Sequence, residues 1–477
     1  MSAVVKAAAE FKPADVQGNI VRGYRKDRVR HLMLEVTDRS AARGWLRASI
    51  SGGGGIPQIT TEETWTTKPV SFFNIGLTYE GLRALGTPAT SLASFPNEFS
   101  EGMNARALKL GDAGLSAPEN WPHPFNDPKR LHLVATIYAD TPDQLQQVQT
   151  QALAGESGLS LLGERNGCKF KGDYAHFGYR DNLSQPRFDG IHDPERYPDK
   201  QPQAPLGTVL LGYQTNFEGL FWRVPEPEPL GLNGSFNAFR VLAQDVAGFE
   251  KYLDTAATDL LAHPKVDELL PAGAVAAIAF GMEVAPTPHA ALREVVAANL
   301  CGRWRNGIPL AQFPDAPTAE TEKHLNDFDY DEASRCPYGS HIRRCNPRGG
   351  QIVQRVANNS RRIVRRGMPY GSAFDPAKPD TEERGLLGNF IGANLGAQFE
   401  AMMCDWLNLG LQDPRITGSN DPLLGANEAE TSWFDLPLKS GGTIRLRGLA
   451  RFVQTRGGAY TFLPSIPAIR FLGSLTN

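Results

Sequence analysis

The sequence predicts an α+β protein assembled from two similar halves. A strand followed directly by a helix occurs in each half, and a proline-rich segment lies between them. In the first half, residues 31–36 and 131–138 have the length and residue types of strands. The second of these leads into Thr141, Pro142 and Gln144, which supply an N-cap, a first-turn proline and a side chain placed to reach back to the cap. Leu145, Val148 and Ala152 then recur at helical spacing. In the second half, residues 236–242 read as a strand, and Val246, Phe249 and Leu253 mark the helix behind it.

The separating segment, residues 224–230, carries three prolines that fit neither a helix interior nor a central strand. The expected division is therefore residues 1–224 and 231–477. Internal similarity between the halves is too weak to prove a duplication, and strand-helix pairs occur in many folds. Near the C-terminus, residues 451–456 and 459–463 flank Gly457-Gly458, which predicts an edge hairpin. Residues 307–337 are polar and rich in prolines and acids, and read as a long surface loop.

At 477 residues the chain exceeds what one core usually organises and is large enough to enclose a cofactor. Its 41% hydrophobic and 21% charged residues and its formal net charge of -3 describe a globular protein without the electrostatic footprint of a nucleic-acid binder. No run is long enough to span a bilayer, and the most apolar, residues 274–280, is strand-sized. The first twenty residues lack a secretory core and a twin-arginine pair, so the cytoplasm is the expected address. The 5 cysteines are scattered with no close pair of the zinc-binding kind, as expected of reduced thiols. The oligomeric state is left open, a homo-oligomer included.

Three segments contain residues suited to redox chemistry. Residues 336–348 (Cys-Pro-Tyr-Gly-Ser-His-Ile-Arg-Arg-Cys-Asn-Pro-Arg) place His341 among arginines after a Pro/Gly turn. An imidazole can supply one axial bond to haem iron, and guanidinium groups such as Arg343 can pair with haem carboxylates. By residue type alone a lone histidine on a basic loop is more often structural. Residues 177–186 (Phe-Gly-Tyr-Arg-Asp-Asn-Leu-Ser-Gln-Pro) hold Asp181 in a tight turn. A carboxylate there could shuttle a proton between the two oxygens of a peroxide, although Asp-Asn pairs more often simply form turns. Residues 361–371 contain Arg365, a fixed charge able to stabilise a developing oxyanion, or a member of a solvated basic stretch.

Together, and in this order, the three segments resemble the dye-decolourising peroxidase family. Residues 177–186 are similar to its distal GxxDG motif followed by Ser-Gln-Pro, residues 336–348 to its proximal histidine segment, and residues 365–371 to its distal arginine motif. The resemblance extends to residues 16–23, 232–236, 244–246, 302–307 and 456–460, and is nearest to the longer bacterial and cyanobacterial members. It implies two ferredoxin-like domains with antiparallel sheets packed together, and haem b held mainly by the C-terminal one. It also implies His341 as the iron ligand, with His176 as its nearest rival, Arg343 on the cofactor, and Asp181 and Arg365 as catalytic groups. The implied partners are hydrogen peroxide and a bulky organic electron donor such as a dye or a phenol. The alternative is a haem-binding or haem-handling protein with little peroxidase turnover.

Two details qualify the resemblance. Asn182 stands where the motif ends in glycine, a substitution that a left-handed turn tolerates best. The family also places an acid behind the axial histidine, for which Glu400 is a weak candidate. Bulky donors imply electron relay through Tyr or Trp side chains, with Tyr370 and Trp406 as candidates. A carboxylate base stays ionised at pH values that protonate an imidazole, so turnover is expected to peak on the acid side of neutrality.

Overall fold

The computed structural model describes residues 10–193, 202–217, 219–278, 287–317, 325–330, 335–349, 359 and 361–476. Parts of two expectations, residues 279–280 of the run 274–280 and residues 318–324 and 331–334 of the loop 307–337, lie outside these residues, as do the first nine positions. Within the described part of the apolar run, Ala274–Ile278 forms a short helix rather than a strand.

The first half contributes β1 (Arg28–Val36), β2 (Ser71–Leu77), β3 (Leu133–Ala139) and β4 (Leu159–Cys168), all antiparallel, in the order β4-β1-β3-β2. Helix Arg39–Ser51 follows β1, and helix Pro142–Ala152 follows β3. The second of these begins with the reciprocal capping box expected from Thr141 and Gln144, which satisfies two backbone donors that the first turn leaves unpaired. Trp45 on the first helix donates its indole N–H to Ala152 O at 2.7 Å and so locks the two helices together on one face of the sheet.

The second half repeats this plan. Its strands are β5 (Ser235–Gln244), the short β6 (Val364–Arg365) and β7 (Met368–Tyr370), then β8 (Gly385–Gly392) and β11 (Val453–Leu463). They run in the order β11-β5-β8-β6, with β7 also on β8. Read as first to fourth strand, both halves show the order 4-1-3-2 of a ferredoxin-like unit, and each first strand is followed by a helix, here Val246–Leu261. The duplication that sequence similarity could not prove is therefore visible in topology. A separate ribbon pairs β9 (Trp433–Pro437) with β10 (Thr443–Arg447).

The two sheets join edge to edge through a single pair, Leu77 of β2 with Phe462 of β11. One hydrophobic core crosses that seam, including Trp45 and Phe73 from the first half and Phe236 and Phe462 from the second. At residues 224–231 the chain passes through a cis Glu226–Pro227 bond into helix Glu228–Gly231.

The expected C-terminal hairpin is absent, because Gly457-Gly458 lies inside the continuous strand β11, at a bulge between Thr455 and Gly457. A β-carbon at Gly457 would collide with the Phe125 ring, and one at Gly458 with the Met103 sulfur. These glycines admit neighbouring side chains and do not turn the chain.

Candidate active site

His341 opens a helix of five residues, His341–Cys345. A helix this short has little stability of its own, and its neighbours fix it. Ser340 closes the preceding turn by donating to Pro337 O at 2.8 Å. The buried guanidinium of Arg344 donates to Gly339 O, Trp406 O and Ser419 O at 3.0–3.1 Å, tying the helix to the π-helical segment Met402–Asn408 and to the loop before Asp421.

Asp421 stands directly behind the histidine, its carboxylate oxygens 3.0 and 3.1 Å from His341 Nδ1. The same carboxylate accepts the backbone N–H groups of Leu423 and Leu424 at 3.0 and 2.8 Å. Burial would raise the Asp421 pKa, but the charge and hydrogen bond of His341, with Arg344 and the Leu424 N–H, hold it below its ordinary value. An ionised Asp421 assigns the proton of the ring to Nδ1. It leaves Nε2 with Cys345 Sγ at 3.8 Å as its partner among the described residues. Burial pulls the imidazole pKa down, yet its interactions with Cys345 and Asp421 outweigh burial and hold the pKa well above the usual value. The Asp421 charge makes the ring a stronger electron-pair donor.

His341, Asp181 and Arg365 line one cavity of about 310 Å³. Asp181 is held by its N–H to Asp173 O at 2.8 Å, and the following Asn182 has φ of +60°, the left-handed conformation that the motif glycine would adopt. Asparagine tolerates this better than other residues with a side chain, which is why the turn survives the substitution. Arg365 lies on β6, and its Nη1 is 3.9 Å from Asp181 Oδ1. The Gln185 amide brackets the Arg365 backbone, accepting its N–H at 3.0 Å and donating to its carbonyl at 2.8 Å. Arg365 Nη2 also donates to Ser184 O at 3.1 Å. The Ser-Gln-Pro element thus joins the aspartate turn to the arginine strand.

The remaining wall is mostly apolar, with Leu386, Phe390, Phe399 and Met402, while Arg303, Arg348 and Arg362 also reach it. Burial lowers the pKa of Arg303 and of Arg362 to about 10, which leaves both charged at neutral pH. A planar apolar group carrying carboxylates and needing one axial nitrogen matches this donor set.

Several expectations need correction. Arg343 does not reach the cavity: its guanidinium donates to Cys336 O and stacks 3.9 Å from the Tyr338 ring and 4.6 Å from the Tyr330 ring. Its neighbour Arg348, seven positions from the histidine, does reach it. Glu400 is buried elsewhere, accepting from Arg106 at 2.7 and 3.0 Å and from Tyr460 at 3.0 Å. His176 turns away and donates Nε2–H to Tyr370 O at 2.7 Å. Trp406 is 3% exposed beneath the Arg361 guanidinium, so it is no surface residue, whereas Tyr370 is half-buried and donates to Glu383 at 3.1 Å. Asp421 escaped sequence reasoning because it lies 80 positions from its histidine, with no motif between them.

Among the described residues, no helix is long and apolar enough to cross a membrane, and no cluster of His, Cys, Asp and Glu could hold a bare metal ion. Residues 15–160 match the DyP dimeric alpha+beta barrel domain. The chain is 28% identical to the dye-decolorizing peroxidase msp1 of Mycetinis scorodonius, covering 98% of this chain and 89% of that protein. It is 26% identical to the multifunctional dye peroxidase DyP2 of an Amycolatopsis species, covering 96% and 95%. A dye-decolorizing peroxidase solved in complex with 2,6-dimethoxyphenol superposes with a TM-score of 0.78 at 25% identity, over 98% of this chain and 100% of that one. An ancestral D-type dye decolorizing peroxidase gives 0.78 at 26% identity, over 98% and 100%.

Proposed function

We propose that this chain is a member of the dye-decolourising peroxidase family and that His341, Asp181 and Arg365 carry its reaction, the reduction of hydrogen peroxide coupled to oxidation of bulky donors such as dyes and phenols. The observation that carries this reading is that all three side chains line one cavity although the chain separates them by up to 184 positions.

Peroxidases of this family are haem enzymes. Haem b is the form that fits, since the sequence has no CxxCH motif for the usual covalent attachment. His341 Nε2 would bind its iron, Arg348 and Arg362 would pair with its carboxylates, and the C-terminal half would supply most of the wall. When bound, the haem supplies the iron centre at which peroxide is reduced.

The protein's own groups would do the rest. Asp181 takes the proton of the inner peroxide oxygen and returns it to the outer one, which then leaves as water. Arg365 holds the anionic peroxide and the charge that develops on the departing oxygen, a contribution that needs no reorganisation because the guanidinium is already fixed. Asp421 keeps His341 oriented and basic. Donors too large for the cavity would give up electrons at the surface, and Tyr370, whose hydroxyl can pass its proton to Glu383, is the candidate relay. A cytoplasmic address accords with five cysteines none of which forms a disulfide.

The test is steady-state turnover of purified, haem-loaded protein with hydrogen peroxide and a panel of phenols and anthraquinone dyes. A Soret band with turnover supports the reading. A Soret band with turnover no faster than free haem would move the protein to the haem-handling alternative, and no Soret band would overturn both.

A further inference from the structure

Arg365 and Arg366 are consecutive, and successive side chains of a strand point to opposite faces. Ile363 and Arg365 line the cavity. On the other face, Val364 belongs to one buried apolar cluster with Val16, Ile20 and Val21 of the N-terminal segment. Arg366 turns to the same segment, donating Nε–H to Asn19 O at 2.8 Å and Nη2–H to Ile20 O and Val21 O at 3.3 and 3.4 Å.

The opposite edge of that segment faces a buried carboxylate. Glu62, 3% exposed, accepts the N–H groups of Ile20 at 2.9 Å, Val21 at 2.6 Å and Arg22 at 3.2 Å. The three peptide units between Asn19 and Arg22 therefore each give a carbonyl to the Arg366 guanidinium and an N–H to the Glu62 carboxylate. Peptide dipoles lined up between an anion and a cation are favourable at both ends, and hydrogen bonds to charged groups are stronger than those between neutral ones. The conformation is specified as well: Asn19 takes φ of +69°, and its side-chain oxygen accepts the Tyr24 N–H at 3.3 Å.

The strand that presents Arg365 is two residues long, with only Val364–Ile391 and Arg365–Phe390 as ladder pairs. So short a ladder cannot set the direction of a side chain by itself. Beyond the ladder, the Gln185 amide brackets the Arg365 backbone, Ser184 O accepts from its guanidinium, Asn389 accepts the Arg366 N–H at 2.9 Å and donates its side-chain amide to the Arg366 carbonyl at 3.3 Å, and the Arg366 fork grips the N-terminal segment.

We propose that Glu62 and Arg366, acting through the peptide units of residues 19–22, are positioning residues that aim Arg365 into the cavity. The N-terminal segment is then part of the peroxide site although none of it lines the cavity. The inference rests on the role given to Arg365 above.

The experiment compares full-length, haem-loaded Glu62→Gln, Arg366→Lys and Arg365→Leu proteins with wild type. The bimolecular rate constant for peroxide is read by stopped flow, the KM for a phenol donor by steady state, and the Arg365 position by crystallography. Misplacing a catalytic group by about 1 Å can cost on the order of 10²-fold. Glu62→Gln and Arg366→Lys should each slow the peroxide step by about tenfold or more, leave the donor KM unchanged, and show the Arg365 guanidinium withdrawn from Asp181. A purely structural role would lower the melting temperature with the peroxide rate and Arg365 position intact, and that result overturns the inference. If Arg365→Leu itself leaves the peroxide rate unchanged, the assignment of Arg365 fails instead. Should Glu62→Gln not fold, Arg366→Lys keeps the positive charge, loses the fork, and carries the same test.

Discussion

Asp421 lies 3.0 Å from His341 Nδ1 with none of its side chain exposed, so its charge acts on the imidazole through protein rather than through water. Asp421→Asn keeps an acceptor oxygen and removes that charge. The haem reduction potential should rise and haem affinity fall by about 10- to 100-fold. A spectroelectrochemical titration together with haem transfer to a scavenger measures both, and an unchanged potential would remove Asp421 from the site.

Arg365 is a permanent charge, whereas a displaced carboxylate can be partly replaced by water. Arg365→Leu should slow the peroxide-driven spectral change by on the order of 10² to 10³. Asp181→Asn should be milder. The ranking is contradicted if Arg365→Leu reacts as fast as wild type, or if Asp181→Asn proves the more severe.

Asn182 at φ of +60° separates conformational from chemical requirements. Asn182→Gly should leave both stability and the peroxide rate near wild type. Asn182→Ala should cost about 1 kcal/mol, because a β-carbon in the left-handed region crowds the backbone. Chemical denaturation of the three proteins decides this, and equal stability of Ala and Gly variants would mean the turn is not held as described.

His31 is buried in the first sheet, its Nδ1 3.0 Å from Thr136 Oγ1, and burial pushes its pKa down to about 3. Between that value and the ordinary imidazole range near pH 6.5, the unfolded chain binds a proton that the folded chain refuses. Stability conferred by the neutral ring is thus full above about pH 6.5 and is lost as pH falls towards 3, by about 1.4 kcal/mol per pH unit. His31→Gln keeps a hydrogen-bonding group and does not titrate. Its unfolding free energy should fall less steeply in acid than that of wild type, and parallel slopes would contradict this.

The sequence made the local elements and the three segments legible because each depends on near neighbours. The capping box of Thr141 and Gln144 and the periodicity of Val246, Phe249 and Leu253 are readable within a few residues. Gly457-Gly458 is ambiguous in sequence because a glycine pair signals both a turn and a close approach, and only the positions of Phe125 and Met103 distinguish them. Proximity in sequence points to Arg343 as a partner of His341, but the turn of helix His341–Cys345 carries its guanidinium onto the rings of Tyr330 and Tyr338. Asp421 and Glu62 belong to contacts that tertiary packing creates, and neither leaves a mark on the residues around it.

The alternation of Arg365 and Arg366 sets unequal tolerances for different kinds of genetic change. A point substitution at Arg365 leaves Arg366 on its carbonyls, and one at Arg366 loosens the aim of Arg365 without turning it to the other face. A one-residue deletion or insertion just upstream, between the last cavity-facing residue and β6, would instead slip the strand and exchange the two faces. The chain would then present Arg366 to the cavity and Arg365 to the carbonyls of residues 19–21, with both charges retained and both in the wrong company. Among descendants of this gene, the number of residues over 363–366 should therefore be kept as strictly as the two arginines themselves.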